Sequence, residues 1–271
     1  VLTIATVNVN GVRAAFRRGM GEWLARRAPD VLALQEVRAG DEHLAGHLGP
    51  GWHVAHEACE VSGRAGVALA TRLPVLAVRS GLPPSASGAS GTSPDGSGRW
   101  VEADVVLPGG AVATVASVYV HKGEAGTPRM AAKYAFLDAV TERMAGLARD
   151  GRGALVAGDL NIAHTERDLK NARGNVAHAG FLPAERAYLD RWLGGGAWVD
   201  VARRLAGDVQ GPYTWWSWRG RAFDTDAGWR IDYQLATPAL AELAREAVVD
   251  RAASYAARFS DHAPLVVSYE A

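Results

Sequence analysis

Residues 1–10 read VLTIATVNVN. From Leu2 to Val9 the run is apolar and β-branched, the pattern of a buried strand, and asparagines stand at Asn8 and Asn10 just before Gly11. The same event recurs downstream. Asp30 to Gln35 is a short apolar run with Glu36 at its end, and Ala154 to Ala157 is another that runs into GDLN, with Asp159 and Asn161. Further strand signals cover Ala65–Thr71, Val75–Val78, the starts at Val101 and Ala111, Ile231–Ala236 and Leu265–Tyr269, with LPGG at 107–110 reading as a hairpin turn. Helical spacing fills the gaps. Val12 to Ala28 stops before Pro29, Thr127 to Arg149 carries Pro128 in its first turn, and Pro183 to Leu193 ends at glycines 194–196. Strands interleaved with two or three helices predict a layered α/β fold.

The chain of 271 residues is long enough for one domain spanning 1–271 with a full core. With 48% hydrophobic and 21% charged residues it has an ordinary globular composition, and no uncharged apolar stretch of about 18 residues offers a membrane span. The opening segment lacks a basic region and a small-residue cleavage site, so it reads as a strand and not as a signal peptide. The single cysteine, Cys59, excludes an internal disulfide, fits a reducing cytoplasm and reads as a small buried hydrophobe. Lys plus Arg and Asp plus Glu both number 29, so any nucleic-acid contact must come from a local patch and not from net charge. Residues 81–98 hold five Gly, five Ser and three Pro, with Asp95 the only charge among Asp, Glu, Lys and Arg. They read as a mobile surface insertion between neighbouring strands.

The polar residues that need explaining sit at the ends of apolar runs. They are Asn8, Asn10, Gln35, Glu36, Tyr119, Asp159, Asn161, Asp232, Asp261 and His262. Singly, each has a bland reading: Asn before Gly makes turns, Asp after Gly caps helices, and a lone loop His is solvated or structurally bonded. Together, four carboxylates, several amides, a phenol and an imidazole form the set a metal-dependent phosphodiesterase needs. Carboxylate and amide oxygens suit a hard divalent cation. In-line attack on phosphorus needs an activated water, charge shielding and a stabilised leaving group. Serine nucleophile elbows, zinc-type Cys/His spacings, P-loops and GxGxxG fingerprints do not occur.

The segments VNVNGVRA, PDVLALQE, GVALATR, GDLNIAHTERDLKN, GFLPAER, DAGWRIDYQLA and SDHAP, in this order, resemble the exonuclease III family of abasic-site endonucleases, within the endonuclease/exonuclease/phosphatase superfamily. The resemblance runs almost end to end. It implies a DNase-I-like four-layer sandwich, two packed β-sheets flanked by helices. It also implies a Mg²⁺-dependent enzyme (Mn²⁺ as an alternative) that incises duplex DNA 5′ of abasic sites and acts as a 3′-5′ exodeoxyribonuclease and 3′-end repair enzyme. By the resemblance Glu36 is the principal metal ligand, with Asn10 and Asp261 close by. Asp159 positions or deprotonates the attacking water and Asn161 orients it. His262, held by Asp232, contacts the scissile phosphate, while Asn8 and Tyr119 bind phosphate oxygens or help the leaving group. Whether one metal or two act is left open. Trp215, Trp229 and Ile231 match an apolar pocket for a flipped baseless sugar, and Arg13, Lys170, Asn171 and Arg173 match positions near the DNA backbone. The partner is double-stranded DNA, abasic or 3′-damaged, met by a monomer in the cytoplasm.

Two features depart from the family pattern. After Tyr119 stand His121 and Lys122 where Pro and then Asn or Gln are usual; Lys122 adds a phosphate contact or faces solvent. The loop at 81–98 lacks the charges of its counterparts. In YTWWSWRGRAFDTDAGWRID, Trp216 reads as core, whereas Arg219, Arg221 and Arg230 offer phosphate contacts. A phosphatase or sphingomyelinase of the superfamily would keep the metal core without GWRID or the NARGN…GFLPAER run. A secreted DNase-I-like nuclease would carry a leader and disulfides, and a non-catalytic DNA-binding relative would have lost catalytic residue types that are all present here.

Overall fold

The computed structural model describes residues 1–83 and 98–270, so most of the Gly/Ser/Pro-rich loop lies outside the described residues. The strands are β1 (Leu2–Asn8), β2 (Val31–Gln35), β3 (His53–Glu57), β4 (Val67–Thr71), β5 (Val75–Ser80), β6 (Trp100–Val106), β7 (Val112–Tyr119), β8 (Gly153–Asp159), β9 (Val199–Asp200), β10 (Asp232–Ala236), β11 (Ala244–Val249) and β12 (Leu265–Tyr269). They form two six-stranded sheets, ordered β11-β12-β1-β2-β4-β3 and β5-β6-β7-β8-β10-β9. Each sheet holds one central parallel pair, β1 with β2 and β7 with β8, among antiparallel neighbours. Parallel partners finish on the same edge, so the four strands that end in polar residues deliver them to a common rim.

The helices are α1 (Val12–Arg17), α2 (Met20–Arg27), α3 (Asp41–Leu48), α4 (Pro128–Arg149), α5 (Ala172–Asn175), α6 (Pro183–Gly194), α7 (Val201–Ala206) and α8 (Pro238–Glu242). Val12, Met20, Trp23 and Leu44 pack on the outer face of the first sheet, against Ala5, Val7, Leu32 and Leu34. On the second sheet Phe136, Val140, Met144, Leu189 and Trp192 cover Val118, Val156, Tyr233 and Leu235. With the layer between the sheets this makes the four-layer sandwich expected from the sequence. The helix predicted over Val12 to Ala28 is in fact two helices. Gly19, at φ 101°, breaks it between Arg17 and Met20, and no proline announces the break.

Strand alternation decides where the site falls. Leu2 and Ile4, Val31 and Ala33, Ala113 and Val115, and Leu155 and Ala157 all face the layer between the sheets. Two residues on, each strand shows the same face again: Thr6 and Asn8, Gln35, Ser117 and Tyr119, and Asp159. The apolar layer therefore turns polar at one end without any change in strand phase. Polar pins set how the sheets lie on each other. Gln35 Nε2 donates to Ser117 Oγ at 3.0 Å, and Gln234 Nε2 donates to the Ile4 carbonyl at 3.0 Å. Gln35, one of the polar residues singled out above, is thus part of this fastening.

Candidate active site

Asn8 joins the sheets at that polar end. Its Nδ2 donates to Glu36 Oε1 at 2.8 Å and to Asp159 Oδ2 at 3.0 Å, and its Oδ1 accepts from the Asn10 amide at 3.0 Å. In the second sheet Tyr119 and Asp232 both pair in register with Asp159, so the three sit side by side on adjacent strands. Asp232 Oδ2 is 2.8 Å from His262 Nδ1, and His262 Nε2 lies 3.7 Å from Asp159 Oδ2. Asn161 returns over Asp159: its backbone N–H donates to Oδ1 at 2.8 Å, and its Nδ2 donates to the Val120 carbonyl at 2.9 Å. Asp261 accepts from Asn10 Nδ2 at 2.9 Å and from Trp215 Nε1 at 3.1 Å. Three of these residues hold left-handed backbone without being glycine: Asn10 (φ 47°), Glu36 (φ 51°) and Asn161 (φ 50°). Such conformations persist where the surroundings enforce them, and here those surroundings are one constellation.

The electrostatics follow from burial and crowding. Asp159 is 1% exposed and His262 7% exposed, so both are buried and not on loops outside the core. Burial raises the Asp159 carboxyl above the usual carboxylate range, and Asp232 reinforces this against the opposing pull of His262. Burial works against charge on His262, but Asp232, Asp159 and Asp261 outweigh it and hold the imidazole well above its ordinary value. Burial likewise raises the Tyr119 phenol, helped by Glu36 and Asp159. Asp159, Asp232 and His262 are close enough together to hold a metal ion. The protonated imidazole already supplies the positive charge between those two carboxylates, however. Glu36 and Asp261 also line the cavity, with Asn10 beside Asp261, and offer oxygen donors of the kind a hard divalent cation takes.

These groups open into a cavity of about 170 Å³. Glu36, Tyr119, Asp159, Asn161, Asp261 and His262 form its polar side. The apolar side is Trp215, Trp229 and Ile231, the two indoles meeting edge-on at 6.5 Å, with Ala179 and Gly180 beside them.

A profile of the Endonuclease/Exonuclease/phosphatase family matches residues 5–262. The chain belongs to this family. It is 31% identical over 260 residues to the exodeoxyribonuclease of Bacillus subtilis, covering 95% of each chain. To DNA repair nuclease APEX1 of Danio rerio it is 30% identical, over 98% of this chain and 81% of that one. Among solved structures, a 3′-5′ exonuclease from Neisseria meningitidis superposes with a TM-score of 0.84 at 27% identity, and an AP endonuclease from Archaeoglobus fulgidus with 0.81 at 26%, each covering 100% of both chains. The expectation of an exonuclease III-type nuclease on a DNase-I-like fold stands.

Of the family residues expected here, Asn8, Asn10 and Asp232 lie directly behind the cavity wall and the rest line it. Lys122 also lines it, and is exposed. The remaining DNA-facing expectations are less concentrated. Arg13 is exposed and borders a neighbouring cavity with Arg38. Lys170 and Arg173 are exposed outside the site, and Asn171 spends its side-chain oxygen capping α5, accepting from the Gly174 amide at 3.2 Å. Two readings are corrected. Arg230 is buried, not a phosphate contact: it pairs with Asp168 at 2.7 Å and Asp200 at 2.8 Å. Cys59 is half-buried, not a core residue. Trp216 is core, at 2% exposed. Sequence reading missed the fully buried Lys133–Glu185 ion pair at 2.5 Å, whose Lys133 Nζ also donates to the Asn161 carbonyl at 2.8 Å. It also missed Ser260, whose hydroxyl donates to the Asn8 carbonyl at 2.7 Å. Neither carries a local motif.

Proposed function

We propose that the chain is a single-domain, divalent-metal-dependent DNA phosphodiesterase that incises 5′ of abasic sites and also removes blocking groups from 3′ ends. The observation that carries this is the cavity itself. Carboxylates, a charged imidazole and a phenol line it beside Trp215, Trp229 and Ile231, an apolar surface that suits a sugar without its base. Glu36 and Asp261, with Asn10, would hold Mg²⁺, or Mn²⁺ in its place. When bound, the ion supplies Lewis-acid charge to the phosphate oxygens.

The chain's own residues do the remainder. Asp159, made more basic by burial, takes the proton of the attacking water, which the Asn161 side chain orients. The water oxygen bonds to phosphorus and the P–O3′ bond breaks. His262, held protonated by Asp232, offsets the charge on the phosphate. Tyr119 serves the phosphate oxygens and the departing 3′ oxygen, while Asn8, buried behind the wall, holds Glu36 and Asp159 in place. No helix of the described residues is long and apolar enough to cross a membrane, and a cytoplasmic monomer acting on duplex DNA is the reading we adopt.

The experiment is an abasic duplex oligonucleotide incubated with Mg²⁺ or with EDTA beside an undamaged duplex. A 3′-hydroxyl and a 5′-deoxyribose phosphate are expected, only with metal. A β-elimination product, or full activity in EDTA, overturns the reading.

A further inference from the structure

The cavity is lined by carboxylates, the Asn161 amide and aromatic rings, and among the described residues the lining side chains with positive charge are His262 and Lys122. His262 is engaged on both ring nitrogens, by Asp232 at 2.8 Å and Asp159 at 3.7 Å. Lys122 makes no ion pair among the described residues and its side chain is exposed.

The backbone that carries Lys122 is pinned on three sides. Before it, His121 packs edge-on against Phe136 at 5.4 Å, and burial together with Arg99 and Lys133 lowers that imidazole to about 3, so it is neutral. The Lys122 carbonyl itself accepts from buried Lys133 Nζ at 3.3 Å. After it, Gly123 sits at φ 72°, where an added Cβ would come 2.9 Å from Met130 Cε. Of this segment Lys122 is the residue that lines the cavity, and these contacts hold the backbone beneath it.

We propose that Lys122 is a specificity-determining residue that favours a terminal 3′-phosphomonoester over an internal phosphodiester. The proposal rests on the phosphodiesterase reading above. Both substrates lose the same bond: the water oxygen bonds to phosphorus, the P–O3′ bond breaks, and its electron pair stays on the 3′ oxygen, which takes a proton to become the 3′-hydroxyl. In the diester, phosphorus remains joined through the 5′ oxygen to the next sugar, which the apolar wall receives. In the monoester that oxygen bears charge instead, and inorganic phosphate leaves. A phosphomonoester carries about −1.5 to −2 at neutral pH, against −1 for a diester. An ammonium with no ion-pair partner among the described residues, at an acid-lined cavity, stabilises the extra charge selectively.

The test compares kcat/KM for a nicked duplex bearing a 3′-phosphate with that for an abasic duplex, in wild type, Lys122→Met and Lys122→Arg. Binding of 3′-phosphate and 3′-hydroxyl nicked duplexes is measured alongside in EDTA, where no turnover complicates it. For Lys122→Met we expect a loss of about tenfold or more on the 3′-phosphate and at most about threefold on the abasic site. The binding preference for the phosphorylated end is lost with it, and Lys122→Arg retains most of both. Equal losses on the two substrates, or no loss on the 3′-phosphate, overturn the assignment of Lys122. So does a wild type that incises abasic DNA but leaves a 3′-phosphate untouched. A wild type that attacks neither substrate overturns the phosphodiesterase reading itself.

Discussion

Two buried clusters of charge lie on either side of the Trp229–Ile231 segment, and they obey opposite rules. Asp168 and Asp200 meet Arg230 and Arg203, with contacts of 2.6–2.8 Å, two negative groups against two positive ones. Among the described residues the ion pairs of Glu36, Asp159, Asp232 and Asp261 are fewer: His262 with Asp159 and Asp232, and Arg38 with Glu36. The first cluster is neutral and closed, and it fixes the strand segment from which Trp229 and Ile231 face the cavity. The second carries negative charge in excess, which folding alone has no reason to keep. Charge left unbalanced in a buried place is the mark of a group that something from outside completes.

The largest test attacks the balanced cluster. Arg230→Met leaves Asp168 and Asp200 buried without their main partner and is expected to cost about 3–5 kcal/mol in urea unfolding. A loss below about 1 kcal/mol would show that the balance does not matter to the fold. The unbalanced cluster is expected to respond in the opposite sense. Asp159→Asn should slow single-turnover cleavage at least about a hundredfold, about 2.7 kcal/mol, while its melting temperature in EDTA stays level or rises, because burial already disfavours the charged carboxyl. His262→Ala should match that rate loss but melt lower, since it strips the carboxylates of their cation. Near-normal rates in either variant would mean the constellation is not the site.

Between the clusters, Trp229→Ala should weaken the preference for abasic over intact duplex by about 1–3 kcal/mol. If instead the preference holds and stability drops by about 3–5 kcal/mol, the indole is packing and not a pocket wall. The smallest effect is a pH dependence. Burial works against charge on Asp168, but Arg230 and Arg203, with the Thr165 amide, hold its carboxyl well below the usual range. A depressed folded pKa gives stability that is full above the unfolded value, about 3.9, and is lost as pH falls below it. Wild type should therefore lose stability below about pH 4 more steeply than Asp168→Asn. Parallel slopes would contradict the shift.

The strand-end residues were legible because each breaks an apolar run, a local signal. The buried ion pairs were not: Arg230 and Asp168 stand 62 residues apart and Lys133 and Glu185 52 apart, so only folding reveals that they are partners. Arg230 was misread for the same reason, since among tryptophans and exposed arginines it looks like its neighbours. Strand β3, HVAHE, went unseen because it is a sheet-edge strand whose first two residues are exposed. Strand β11, AREAVV, also at an edge, has a helix-like composition, and tertiary pairing with β12 overrides it. Left-handed backbone at Glu36 and Asn161 likewise leaves no trace in residue type beyond the asparagine.

The shared face of Leu155, Ala157 and Asp159, and of Ile4, Thr6 and Asn8, has a consequence for how such a chain tolerates change. Core and site are written in a single phase on the same strands. A one-residue insertion within β1 or β8 would exchange inward and outward positions for every residue on one side of it. It would pull the reactive groups apart and expose the core in a single step. Insertions are harmless only where no phase is kept, in the loops, so length variation among relatives of this chain should gather there and be absent from these two strands.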